Sequence, residues 1–175
     1  GYVDKKDIID GMRDVKEGNI IIGIPSVSAH TNGYSMIRKI HEINTIPEDT
    51  LKWLCNPHKS YFHEVNKLNI AGIKINALCH ITGGGFVENP PRVLNENLKI
   101  KFNIQMNKHF KKIQELGNVS DMEMYKTFNC GIGMLVFIEK ENSVQALEIL
   151  NKFPLGAVVC GEVYQRDNDE NQINF

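Results

Sequence analysis

The sequence predicts a layered domain of sheet and helix, α/β or α+β, on three observations. Short apolar runs rich in β-branched residues recur along the chain, as in NIIIGI (19–24) and GIGMLVFIE (131–139). Between them, apolar residues fall at three- and four-residue spacing, the helical period. The 175 residues are 42% hydrophobic and carry no internal repeat, enough to bury one core.

The elements follow in order. NIIIGI reads as a buried strand, and the Pro, Ser, Thr, Asn and Gly cluster PSVSAHTNG (25–33) as a loop. From Tyr34 a helix is expected, because Met36, Ile37, Ile40 and Ile43 share one face; Thr31 or Asn32 suits its cap. A second helix is expected to start at Pro57, with Tyr61, Val65 and Leu68 as its stripe. IKINALCHI (73–81) reads as a strand that runs directly into three glycines. LKIKFNI (98–104) alternates as a half-exposed strand does. Phe110, Ile113 and Leu116 mark a helix that Gly117 can end, and Ser120 with Glu123 has the form of a capping box. GIGMLVFIE is a buried strand. Val144, Leu147, Ile149 and Leu150 belong to a helix, and GAVVCGEVYQ (156–165) is the last strand. The polar stretch over 167–175 is expected to be a tail with no core to join.

Composition excludes some functions. Lys and Arg number 20 against 21 Asp and Glu, a net charge of -1, so no basic excess points to nucleic acid or to an anionic membrane. No apolar run is long enough to cross a bilayer, and no charged-then-apolar leader opens the sequence. Cys55, Cys79, Cys130 and Cys160 are widely spread and show no zinc-site spacing. They read as reduced, mostly buried thiols of a cytoplasmic-type protein, and no metal ligands are expected.

Three loops carry the candidate chemistry. In CHITGGGFVENPPR (79–92) a strand ends at His80 and Gly83, Gly84 and Gly85 follow. Glycines at a strand–turn junction let backbone amides converge on an anion, with Thr82 adding a hydroxyl and Arg92 a charged fork; the plainer alternative is a crowded turn. In SVSAHTNGYS (26–35), His30 projects where strand meets helix, and the alternative there is a solvated loop residue. In TFNCGIGM (127–134), Gly131 and Gly133 weaken a strand unless another group comes close, and a bulge explains them equally well. His41, His58, His63 and His109 read as exposed, inert positions on helical faces.

Taken together, YVDKKDIIDG, AHTNGYSMIRKI, CHITGGGFVENPPRVL and MYKTFNCGIGM closely resemble, in order and spacing, the C-terminal half of the phosphoribosylformylglycinamidine cyclo-ligase (aminoimidazole ribonucleotide synthetase) family. The resemblance covers nearly the whole chain. It implies an α+β fold, a mixed β-sheet flanked by helices, with a substrate-side domain over 1–166. It also implies ATP-dependent closure of the imidazole ring of formylglycinamidine ribonucleotide, a homodimer, and an N-terminal half, absent from this chain, that holds ATP and magnesium. The 175-residue chain alone is then expected to be inactive. By match of motif, His30 and His80 are the candidate catalytic residues. Asn32, Gly33, Thr82, Gly83, Gly84, Gly85, Asn89, Arg92, Asn129 and Gly131 are the candidate substrate- or phosphate-binding residues. Thr31 stands where the family has serine. SVSA (26–29) departs from the family's Ser-Ser-Gly-Pro, at Val27 by a lost hydroxyl and at Ser28 by a lost glycine. Two other readings stand beside this one: a non-catalytic module that holds a phosphorylated ligand, and a superfamily relative that acts on another amide.

Overall fold

The apolar runs become strands wherever both of their faces can be covered. The computed structural model describes residues 2–175; Gly1, the first residue of the domain expected over 1–166, lies outside them. The chain runs α1 (Gly11–Asp14), β1 (Ile20–Pro25), α2 (Tyr34–Ile43), α3 (Glu48–Leu54), α4 (Phe62–Ile70), β2 (Ile75–His80) and α5 (Gly85–Glu88). After a 3-10 turn at Pro90–Val93 come β3 (Leu98–Phe102), α6 (Lys108–Gly117), α7 (Asp121–Thr127), β4 (Ile132–Ile138), α8 (Ser143–Leu150), β5 (Val158–Gln165) and β6 (Ile173–Asn174).

The strands form one six-stranded sheet in the order β2-β4-β1-β5-β3-β6. All neighbours pair antiparallel except β3 and β6, which are parallel, so the sheet is mixed and the fold is α+β. Successive residues of a strand face opposite ways. In β1, Ile21 joins the larger apolar cluster with α2, α6 and α7, while Ile20, Ile22 and Ile24 join the smaller one with α4 and α8. In β4, Leu135 and Phe137 likewise oppose Val136 and Ile138. Helices on both faces explain why these strands read as unbroken apolar runs. β3 alternates as expected: Leu98, Ile100 and Phe102 are buried and Lys101 is exposed.

Three expectations are corrected. Pro57 does not open a helix. It lies in the connection after α3, a helix unforeseen in the sequence, and α4 begins at Phe62 with Tyr61 buried before it. Neither Thr31 nor Asn32 caps α2. The Asn32 amide donates to the Ala29 carbonyl in a turn, and Gly33, at φ 76°, takes the N-cap position without a side-chain bond. The C-terminal stretch does join the core. The Ile100 amide donates to the Gln172 carbonyl, β6 pairs with β3, Lys99 forms an ion pair with Glu170, and Phe175 stacks on Tyr125 at 4.1 Å. Its polar side chains hide this, because the pairing runs through backbone. Ser120 caps α7 as read, accepting from the Glu123 amide; α6 ends on Asn118 at φ 45°, one residue past Gly117.

Candidate functional site

Topology brings the three candidate loops together. β1 and β2 both pair antiparallel with β4, which lies between them, so both end where β4 begins. The residues after Pro25, those after His80 and those before Ile132 therefore meet at one end of the sheet.

Asn129 ties the first and third loops. Its side-chain oxygen accepts from the Ser26 hydroxyl at 2.9 Å and from the Gly131 amide at 2.9 Å, and its nitrogen donates to the Ser28 carbonyl at 3.0 Å. Ser28, fully buried, accepts from the His30 amide. The departures at Val27 and Ser28 thus leave a loop whose two serine side chains are both hydrogen-bonded. His30 and Cys130 both sit at positive φ, 53° and 51°. Such backbone is costly outside glycine and persists where surrounding bonds over-determine it. Gly33 is required by contact, since a Cβ there would lie 2.0 Å from the Phe128 ring. Gly133 is required as well, since its Cβ would fall 1.9 Å from the Tyr61 hydroxyl and 2.6 Å from the His30 ring. What approaches Gly133 is therefore a pair of side chains. Gly131, at φ 105°, closes the same turn against Asn107.

The glycine loop is largely occupied with itself. The Thr82 amide and hydroxyl both donate to the Asn89 side-chain oxygen, and the Asn89 nitrogen donates to the Gly83 carbonyl at 2.9 Å. Asn89 is buried, so it holds the loop from inside. The Gly85 amide donates to the Thr82 carbonyl, and a Cβ on Gly85 would sit 2.0 Å from the Tyr125 carbonyl. Gly85 is thus a packing residue against α7 and not an anion donor. Among the described residues, the amides of Gly83 and Gly84 have no acceptor within the chain. Gly83 is exposed and Asn32 reaches toward it, its side-chain oxygen 3.4 Å from where a Cβ would stand. The Glu88 carboxylate lies over Gly84. Arg92 is exposed on the 3-10 turn, where its charge acts on Cys79.

His30 and His80 share one side, with ring centroids 5.8 Å apart. A third ring joins them. His58 lies 3.9 Å from His30 and 5.0 Å from His80, and each of the three can offer a ring nitrogen within 4.8 Å of the others. His58, expected as an inert position on a helical face, lies instead on the connection between α3 and α4, and only the course of that connection brings it here. His30 is buried, and burial, followed by the charges of His58 and His80, holds it down to about 4. Burial and then His58 lower His80 too. Both are therefore neutral near pH 7. His30 Nδ1 and His80 Nε2 are buried without a hydrogen-bond partner among the described residues. The Tyr61 hydroxyl, raised by burial and by Glu64, stands 3.5 Å from His30 Nε2. A groove of about 350 Å³ opens beside the cluster, lined by His58, His80, Tyr61, Phe62 and Met134.

The thiols take no part. Burial pushes Cys79 and Cys160 up to about 12 and raises Cys130 further, so none is a nucleophile at neutral pH, while Cys55 is exposed. Among the described residues no helix is long and apolar enough to cross a membrane.

Residues 16–174 match the family model described as AIR synthase related protein, C-terminal domain. The phosphoribosylformylglycinamidine cyclo-ligase of Alkaliphilus oremlandii (strain OhILAs) is 40% identical over 94% of this chain and 52% of its own length. The chain thus spans about half the length of that curated relative. Among solved structures, a hydrogenase maturation protein HypE has a TM-score of 0.72 at 16% identity, covering 98% of this chain and 52% of its own. Phosphoribosylformylglycinamidine synthase II from Thermotoga maritima has a TM-score of 0.55 at 14% identity, covering 93% and 24%. These two show a shared fold.

Proposed function

The chain belongs to the AIR synthase related protein family, C-terminal domain, and from that premise we propose that it is the substrate-side half of an ATP-dependent cyclo-ligase of purine synthesis. In that reaction ATP phosphorylates the formyl oxygen of formylglycinamidine ribonucleotide. A nitrogen of the same substrate attacks the activated carbon, and phosphate leaves as the imidazole ring of aminoimidazole ribonucleotide closes. ATP and magnesium belong to a further, N-terminal half. A HypE structure in complex with ATP gives a fold relative of this chain a nucleotide partner. Homodimer formation and a cytoplasmic setting complete the reading.

The convergence of three loops at one end of the sheet carries the proposal. Neutral His80 and His30 are suited to take and return a proton as the ring closes. The amides of Gly83 and Gly84, with Asn32 beside them, are suited to a substrate phosphate once the Glu88 carboxylate swings aside. Neighbouring Gly85, Asn89 and Asn129 hold these groups in place.

The test is calorimetric titration of the chain with formylglycinamidine ribonucleotide. Saturable binding is expected, weakened roughly tenfold in His80→Ala, about 1.4 kcal/mol, with an unchanged circular dichroism spectrum. Ring closure is expected only after fusion to the part of the Alkaliphilus relative outside the match. Binding of other amides in preference, or no loss in His80→Ala, would overturn the reading.

A further inference from the structure

We propose that His30, His58 and His80 form a binding site for one divalent transition-metal ion of the zinc class, with a fourth position open to solvent or ligand. The proposal shares His30 and His80 with the cyclo-ligase reading, whose proton transfer would need them free of the ion, and concerns a different metal from the magnesium that accompanies ATP. Three imidazoles without a carboxylate or thiolate suit zinc, copper, nickel or cobalt, whereas magnesium requires oxygen ligands.

The donor atoms are available. His30 Nδ1 and His80 Nε2 are buried and unpartnered, a condition that is rare and unfavourable for polar atoms. A metal ion would satisfy both. His58 Nδ1 lies 3.0 Å from the Lys59 carbonyl. A ligating histidine commonly donates its other N–H to a backbone carbonyl, which fixes its tautomer; here that bond would leave His58 Nε2 as the donor. Lys59, the next residue after His58, is already paired, since it bonds Glu64 in a mostly buried ion pair.

The rings come from three separate elements that are themselves held. His30 is fixed by Ser28 and has its space because Gly133 lacks a side chain. His80 ends β2, where it pairs with Met134 of β4. His58 sits on the connection between α3 and α4 and is exposed. Tetrahedral ligands at zinc–nitrogen distances of about 2.0–2.1 Å place their nitrogens roughly 3.4 Å apart. Each ring has one nitrogen within 4.8 Å of a nitrogen of the other two, so a metal would draw the rings together by an ångström or so. The exposed His58 ring is the least enclosed of the three and the freest to turn toward the others. The groove beside His58 and His80 gives access to the fourth position.

The experiment uses the tag-free chain, stripped with a chelator, titrated with zinc by calorimetry and with cobalt by visible absorption. One zinc ion per chain is expected, with intense visible cobalt bands of a tetrahedral site. His58→Gln should weaken zinc binding tenfold or more, whereas His63→Gln, which alters an exposed histidine on α4, should not change it. No stoichiometric binding by the wild type, a pale octahedral cobalt spectrum, equal affinity in His58→Gln or an equal loss in His63→Gln would each overturn the site. Because His58 is exposed on a loop, the variant is expected to fold, and circular dichroism checks it. Should His58→Gln fail to fold, the wild-type stoichiometry and cobalt spectrum decide alone. Neither measurement involves substrate, so failure here and failure of the cyclo-ligase reading are separate results.

Discussion

The asparagine-stapled loops and the histidine cluster sit side by side and handle their polar atoms in opposite ways. Around Thr82 and Gly83, and around Ser26 and Gly131, a buried asparagine makes three hydrogen bonds inside the protein. A few ångströms away, His30 and His80 leave ring nitrogens buried and unpaired. The difference separates support from reactivity. Asn89 and Asn129 have both acceptor positions and one of two N–H groups engaged within the chain, whereas His30 Nδ1 and His80 Nε2 have no partner among the described residues.

The most damaging substitution should therefore be in the support. Asn129→Ala would leave the Ser26 hydroxyl, the Gly131 amide and the Ser28 carbonyl without their partner, at about 1–3 kcal/mol for each buried group. His80→Ala, which breaks no recorded hydrogen bond, should cost far less. Urea unfolding of the two variants measures this directly. Equal destabilisation would erase the distinction.

The glycines permit a finer version. Gly85→Ala forces a Cβ to within 2.0 Å of the Tyr125 carbonyl at φ 56°, with a backbone strain of about 1–3 kcal/mol before any clash. Gly83 has an ordinary φ and only the Asn32 oxygen nearby, so Gly83→Ala should stay within about 0.5 kcal/mol of wild type. If Gly83→Ala proves as harmful as Gly85→Ala, the exposed end of the loop is structural too.

The smallest effect concerns an imidazole outside both regions. His109 stacks on Trp53 at 4.8 Å and shares a hydrogen bond with Thr50, and burial, then Lys108, lowers it below the ordinary histidine value of 6.5. Its neutral form is favoured in the folded state. The stability this gives is present above the ordinary value and is lost as pH falls from there through the lowered one. Trp53 is the single tryptophan, so its fluorescence should titrate with a midpoint below 6.5, and His109→Gln should remove the transition. A midpoint above 6.5 would mean that the stack favours the charged ring.

How much of this was legible in the sequence depended on whether a signal was local. The strands and most helices announce themselves through periodicity, and the loops of the site through glycine and asparagine. α3 was missed because seven residues with few apolar positions carry almost no period, and the 167–175 segment because backbone pairing leaves no mark on side-chain polarity. The three glycines look equivalent on paper. Only packing against α7 separates Gly85 from Gly83, and only the path between α3 and α4 makes His58 a neighbour of residues 22 to 28 positions away.

The strand order also has a kinetic consequence. β1 is the earliest strand in the chain and sits mid-sheet, yet both of its neighbours come from the far end, with Ile20 opposite Ile138 and Glu162. The bond between Ser26 and Asn129 spans 103 residues, and that from the Cys160 thiol to the Ile21 carbonyl spans 139. Contacts so distant require large loops to close before they return any stability, which slows folding. On the ribosome, the isoleucines of β1 emerge well before their partners and remain exposed until β4 and β5 follow, the condition under which chains aggregate or engage chaperones. The rings at 30 and 80 cannot reach their final arrangement around Gly133 until β4 has docked, so the reactive end of the sheet matures late.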